Sequence, residues 1–369
     1  MMRRLNIVGF KRFDRNSLAM APLTVLTGLN GSGKTSVIHA LLLMREAAQP
    51  STKGAVLLNG PFGLQLGTAE DVTNWAGTGT VEFSVEDETG THDWVLASPA
   101  DEAMYLTATG VPSNLPKAFK SNPGAFIYLS AERFGPRGSV AASSLPAEEI
   151  DVGVQGENSA QLLETRGSKP APDDRRHPES NSPFLLKYEV ERWLSEIARP
   201  VVIDSIHHSG ADAYALRFKT AGGEWVRATN MGFGLSYALP IVLAGLTATI
   251  GGLVVVENPE AHLHPAGQSR MGTFLAWVAS KGIQVVVETH SDHVLNGMRR
   301  AVGELGMLDS AAAVVHFFES DESASIVELR FTGTGGMSHW PVGFFDQYQI
   351  DIAALGRVRR KGGVDGVRR

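Results

Sequence analysis

The residues best equipped for chemistry lie close to the start of the chain. Gly28-Leu29-Asn30-Gly31-Ser32-Gly33-Lys34-Thr35 satisfies G-x-x-x-x-G-K-[ST] at every fixed position. Apolar residues from Leu23 to Thr27 precede it as a strand, and Lys34 to Ala47 follow as a helix, which are the flanks the motif requires. The glycines let the backbone N–H groups of residues 30 to 34 curl around phosphate oxygens, and the positive end of the helix adds to that attraction. Lys34 would then reach the β- and γ-phosphates, while the Thr35 hydroxyl would hold Mg²⁺. The expected nucleotide-binding set is Gly28, Asn30, Gly31, Ser32, Gly33, Lys34, Thr35 and Ser36, with ATP and Mg²⁺ as cofactors.

Leu253 to Val256 form an apolar run that ends in Glu257-Asn258-Pro259-Glu260. Acids at the carboxyl end of a buried strand sit at the mouth of a nucleotide crevice, where a metal-side group and a water-polarising base belong. Here the sequence resembles the ABC-class ATPases related to the SMC, RecF and OLD proteins. In those, the strand typically ends in Asp-Glu-Pro, then an acid and Leu-His-Pro; this chain reads on through Ala261-His262-Leu263-His264-Pro265. The resemblance implies that Glu257 joins Thr35 on the metal. It also puts Asn258 where the family keeps its catalytic glutamate, and an amide cannot accept a proton as a carboxylate does. Either Glu260 acts as the base, which we expect, or hydrolysis is slow.

Ile283 to Glu288 reads as another buried strand, delivering Thr289-His290-Ser291-Asp292-His293 to the same sheet edge. The resemblance implies that His290 senses the γ-phosphate, since an imidazole can bond that oxygen. Ser291 and Asp292 also suit the N-cap of a helix from Val294 to Val302. Asn230 to Pro240 precede a long apolar helix that Ser236 is expected to cap, with flanking glycines such as Gly234 exposing N–H groups to an anion. This segment looks like a degenerate ABC signature. The resemblance then implies that Gly234 and Ser236 of one subunit close on ATP held by another, so that a homodimer forms on ATP binding. A metal-hydrolase reading competes, because His262, His264, His290 and His293 lie near acids, although they lack the H-E-x-x-H spacing.

Tyr128 to Arg137 and Trp340 to Gln347 look like segments of a narrower group, small bacterial AAA/ABC-type ATPases ending in a short domain of unknown function. For Arg133 and Arg137 no role follows; pairing with Glu132 or surface acids is as good an expectation as nucleotide contact. Strands alternate with helices through Val254, Val285 and Val314, so the fold class is α/β. With the resemblance, this becomes a phosphate-loop NTPase: an ABC-type ATPase head with a mainly parallel central sheet and an antiparallel β-rich subdomain. The head covers 1–332, as an N-terminal lobe 1–135, a polar insertion and helix 136–200, and a C-terminal lobe 201–332. Within the insertion, Arg166 to Pro178 has the makeup of a mobile, exposed loop. Glu319 to Glu322 reads as a hairpin turn, and 333–369 as an appendix with a basic tail. A bare head is expected, since no sustained heptad marks a coiled coil and the appendix is too short for a nuclease domain.

With 369 residues, 43% hydrophobic and 20% charged, the composition is that of an ordinary globular protein, and the absence of cysteine removes disulfides, thiolate metal sites and a cysteine nucleophile. Ala238 to Val256 is apolar over nearly a bilayer's thickness, yet Gly251-Gly252 would break a helix there and the valines that follow suit a strand, so no membrane span is expected. No signal peptide is recognisable, and a cytoplasmic location is expected. The net charge of -6 argues against a general attraction to nucleic acid, although Arg3-Arg4, Lys11-Arg12 and Arg357 to Lys361 keep a DNA contact open. The resemblance implies an ATP-hydrolysing head that regulates a separate effector protein or a DNA transaction in bacterial anti-phage defence or DNA repair. Two alternatives stand beside it: a nucleotide switch with very slow turnover, and a metal-dependent nuclease built on the histidines and acids.

Overall fold

Two valine runs set the architecture. Leu253–Glu257 and Gln284–Glu288 are buried along their whole length, as strands are when both faces of a sheet are covered. The computed structural model, which describes residues 1–49, 53–77, 79–179, 184–319 and 325–361 (backbone alone for 358–361), pairs these strands in parallel. Glu257 stands opposite Glu288. On its other side Gln284–Glu288 pairs with the strand Leu23–Gly28, and Leu253–Glu257 with Phe126–Leu129. Ala313–Phe318 and Ile326–Arg330 extend the sheet beyond Leu23–Gly28, making six strands that are parallel apart from the last pair.

Alternate residues of these strands feed two separate cores, because side chains switch faces at every residue. Val254, Val256, Val285 and Val287 pack with the helices Phe233–Thr247, Pro265–Ser280 and Asp292–Gly303. Leu253, Val255 and Val286 pack instead with the helix Lys34–Ala47. The same parity carries Glu257 and Glu288 to the face of that second helix. Its core is shared with a six-stranded antiparallel sheet, ordered Phe13–Ala19, Arg4–Phe10, Thr80–Asp87, Gly90–Ala97, Tyr105–Gly110 and Ala55–Leu57. That sheet is the β-rich subdomain anticipated above. A smaller sheet joins Val202–His208, Ala213–Lys219 and Val226–Arg227 with the earlier strand Val140–Ala141.

The polar stretch departs in part from expectation. Ser159–Arg166 is a helix whose Leu162 and Leu163 enter the large core. Arg175 is 1% exposed and donates to the Ala248 carbonyl at 3.3 Å and to Asp174 at 2.9 Å. His177 packs edge-on against Trp193, with ring centroids 4.5 Å apart. Within Arg166 to Pro178, buried Gly167, Ala171, Arg175 and His177 alternate with exposed residues such as Ser168, Lys169, Pro172 and Asp173, so the expected loop is exposed in part and tied to the core at intervals. The apolar run from Ala238 divides as expected into the end of one helix and a strand, and among the described residues no helix is long and apolar enough to cross a membrane. Trp340 to Gln347 leads into a helix, Gln347–Lys361, that the sequence reading did not anticipate. Most of the expected 319–322 turn and the tail beyond 361 lie outside the described residues.

Pro265–Ser280 and Asp292–Gly303 approach closely enough that a Cβ on Gly297 would lie 1.8 Å from the Ser269 carbonyl oxygen. Because the obstacle is backbone, one helix must shift to admit a methyl group. Gly297→Ala is therefore expected to cost about 3 kcal/mol by urea unfolding. Gly210→Ala, where a Cβ meets nothing within 4 Å, is expected to stay within about 0.5 kcal/mol of the native value. Equal stabilities of the two variants would contradict this packing.

Candidate functional site

The phosphate loop joins the central strand Leu23–Gly28 to the helix Lys34–Ala47 through a turn that only glycine tolerates. Gly33 caps the helix at φ +102° with its Cβ position 2.8 Å from Arg12 Cδ, and Gly28, at φ +139°, abuts the Phe318 carbonyl oxygen. Asn30 and Gly31 face solvent, whereas Ser32 is 4% exposed and its hydroxyl has no partner. The Lys34 ammonium, 3% exposed, donates to the carbonyls of Gly28 at 3.1 Å and Leu29 at 2.7 Å, arching back over the loop. Burial pulls its pKa below the ordinary lysine value, while Glu288 pulls the other way. An orphaned hydroxyl, open space at Gly31 and a desolvated cation at a helix N-terminus are what a polyphosphate satisfies. The residues present fit Mg·ATP.

Glu288 is the acid on Thr35. The Thr35 hydroxyl lies 3.1 Å from both Glu288 carboxylate oxygens, and Lys34 Nζ stands 4.0 Å from one of them. Glu288 is 6% exposed. Burial first, and then the neighbouring Glu257, push it up to about 7 against the opposing pull of Lys34 and Thr35. Glu257, expected in that place, is turned aside: it accepts from the Tyr128 hydroxyl at 2.9 Å and from the Ala131 N–H at 3.2 Å. Burial raises its pKa, and these two donors and Arg133 hold the rise back. The sequence reading missed Glu288, although the parity shared by two Val-Val-Val-Glu runs was a signal that could have found it.

Arg133 closes the turn after Glu257. Its guanidinium donates to the carbonyls of Ser130 at 2.8 Å, Glu257 at 2.6 Å and Asn258 at 2.7 Å, and it faces the Tyr237 ring at 5.5 Å. Burial lowers its pKa to about 10, so it stays cationic at neutral pH. Neither Glu132 nor a surface acid is its partner. Asn258 adopts φ +44° while its N–H donates to the Glu288 carbonyl at 2.8 Å. Glu260 ties this turn to the next strand's end, accepting from the Thr289 hydroxyl at 2.7 Å and the His290 N–H at 2.8 Å. His290 is exposed, and partial desolvation followed by repulsion from Lys34 lowers its pKa. Ser291 caps the helix Asp292–Gly303 through the Val294 N–H, as expected.

Two expectations change. The helix Phe233–Thr247 starts at Gly232, so Ser236 lies one turn inside it rather than at its cap. Its hydroxyl is buried without a partner beside a cavity of about 40 Å³ that Ser159 also lines. Gly232 and Phe233 are the exposed residues of that helix end, and Gly234 is half-buried there. The histidines do not converge either. His262 packs on Phe233 and Tyr237, His264 caps the helix Pro265–Ser280, and among the described residues no three His, Asp or Glu side chains form a group that could hold a metal.

Residues 154–296 match the family described as "AAA domain, putative AbiEii toxin, Type IV TA system", a span that includes Ser236, Glu257, Glu260, Glu288 and His290. Residues 308–355 match a protein family of unknown function, DUF3696. An OLD nuclease of Thermus scotoductus is 21% identical over 338 residues, covering 79% of this chain and 59% of the relative. The chain thus spans about three-fifths of that relative's length. An SMC head crystallised with the C-winged helix domain of ScpA superimposes with a TM-score of 0.53 at 14% identity, covering 89% of this chain and 97% of that one. An SMC head from Pyrococcus furiosus, with an extended coiled coil and the C-terminal domain of ScpA, gives 0.53 at 12% identity, covering 97% and 99%. The chain has the α/β fold of an AAA/ABC-type ATPase head of the SMC/RecF/OLD-like class.

The raised pKa of Glu288 fixes a sign. The folded chain holds this proton up to about pH 7, whereas the unfolded carboxyl releases it near 4.5, so stability falls as pH rises through that window. Glu288→Gln is expected to flatten the fall and to raise stability at pH 8 by roughly 2–3 kcal/mol, measured by urea unfolding at pH 5 and pH 8 without nucleotide. A variant as pH-dependent as the native chain would contradict the assignment.

Proposed function

We propose that the chain binds Mg·ATP at residues 28–36, hydrolyses it, and pairs with a second copy when ATP is bound. Opening and closing of that pair would control a separate effector protein or a DNA transaction in bacterial defence or repair. The observation that carries the reading is the convergence of Lys34, Thr35 and Glu288 beneath a glycine loop whose Ser32 hydroxyl is unpartnered. Bound Mg²⁺ would neutralise phosphate charge and orient the nucleotide. Lys34 would exchange two loop carbonyls for phosphate oxygens, and His290, neutral at physiological pH, would meet the terminal phosphate from the adjacent strand end. The exposed amides around Gly232 to Gly234, rather than the buried Ser236 hydroxyl, would supply the contact in trans.

Glu260 is the base in this reading. It is held by two donors, and a carboxylate has about four lone-pair sites, so room is left for a water. Asn258 supports a second reading, a switch that binds ATP and barely turns it over. A separate effector protein and DNA both stand as partners in this reading: Arg3 and Arg4 are exposed and lie 3.8 and 3.7 Å from Glu88 and Glu86, loose pairs that leave their charge available to a polyanion.

Lys34→Ala is expected to abolish ATP binding in equilibrium titrations while leaving the fold intact; undiminished binding would sink the ATP reading. Single-turnover hydrolysis by Glu260→Gln is expected to fall by about 100-fold or more. A rate equal to that of the native chain would remove Glu260 as the base, and a native single-turnover rate far below that of an ordinary ATPase would favour the switch reading. Sedimentation with Mg·ATP bound to Glu260→Gln, where hydrolysis is suppressed, is expected to show a dimer, against a monomer without nucleotide.

A further inference from the structure

We propose that Glu288, and not Glu257, is the protein carboxylate that serves the Mg²⁺ of the bound nucleotide, so that the metal is held between the phosphate loop and the strand Gln284–Glu288. This rests on the ATP reading above and deepens it. Among the ABC-type relatives the strand carrying Glu257 is the one expected to supply this acid. Three observations move the role one strand closer to the loop.

The first is placement. Gln284–Glu288 is the immediate neighbour of the phosphate-loop strand, whereas Leu253–Glu257 lies one strand further out. The second is contact: the Thr35 hydroxyl, which a metal-binding loop uses as ligand, already faces both Glu288 oxygens at 3.1 Å. The third is the occupation of Glu257. One of its oxygens is held by the Tyr128 hydroxyl and the other by the Ala131 N–H, which direct the group toward a separate cavity of about 720 Å³ lined by His39, Gln65, Tyr128 and Gln155. A small hard cation prefers one or two carboxylates together with phosphate oxygens and water. Glu288, with Thr35 beside it, is the carboxylate so placed. Glu257 then acts as a positioning residue, holding Tyr128 and the 130–133 segment against the strand end.

The test is ATP affinity by calorimetry, with Mg²⁺ and with EDTA, for the native chain, Glu288→Gln, Glu288→Asp and Glu257→Gln. Spin resonance of Mn²⁺ titrated into each protein with ATP gives a second readout. We expect Mg²⁺ to tighten native binding by about tenfold or more. Read as the ratio of ATP affinities with and without Mg²⁺, that enhancement is expected to be mostly lost in Glu288→Gln and retained within about threefold in Glu257→Gln. Glu288→Asp, which keeps a hard oxygen ligand, is expected to retain part of the enhancement and of the bound-manganese signal. This separates ligation from a packing role, even if one variant proves unstable. Enhancement that survives in Glu288→Gln, or that is lost in Glu257→Gln alone, overturns the proposal. A native chain that binds ATP with no dependence on Mg²⁺ overturns it too, and one that binds no ATP under either condition overturns the nucleotide reading along with it.

Discussion

Two buried carboxylates, Glu257 and Glu288, stand opposite each other at the ends of adjacent parallel strands, and the rest of the site is organised around keeping them there. Like charges on neighbouring strands inside a protein repel strongly, because little water screens them. Each is compensated from a different direction. Lys34 and Thr35 face Glu288 from the phosphate loop, and Tyr128 and Ala131 face Glu257 from the outer strand. The compensation works only with the strands in register. A slip of one residue would send the acid of the shifted strand into the core of Val254, Val256, Val285 and Val287.

The same register couples the two turns that follow the strands. Arg133 gathers the carbonyls of residues 130, 257 and 258, and Asn258 donates back to the Glu288 carbonyl. Glu260 then grips the Thr289 hydroxyl and the His290 N–H. A change at the nucleotide felt by His290 therefore has a short hydrogen-bonded route to the turn holding Glu260, and through Arg133 to Tyr237 on the helix Phe233–Thr247. That helix carries the glycines that would face a second copy. In the proposed reading, nucleotide state and pairing would be joined through these polar contacts.

Much of this was legible in the sequence, and what was not has a physical reason. The phosphate loop was readable because its glycines and Lys34 must stand at fixed spacing for backbone amides to reach phosphate. The parallel sheet was readable because strands covered on both faces need unbroken apolar runs. Arg133 was not readable, since its partners are backbone carbonyls, which leave no mark on side-chain type. Ser236 was misplaced by one turn because Gly232 and Gly234 both suit a helix start. The polar composition of Arg166 to Pro178 conceals buried anchors such as Arg175 and His177, which leave no apolar mark in the sequence. Glu288 carries no motif of its own, because the family resemblance marks the strand of Glu257, although both acids end equivalent strands.

The central claim, that a nucleotide's metal is held where the phosphate loop meets these strand ends, can be tested directly. The measurement is anomalous diffraction at the manganese edge from crystals grown with Mn²⁺ and a non-hydrolysable ATP analogue. The account predicts a single strong peak beside the Thr35 hydroxyl and the Glu288 carboxylate, in contact with the phosphates. A metal bound instead among His262, His264 and His293, or a nucleotide lying away from residues 28–36, would contradict it.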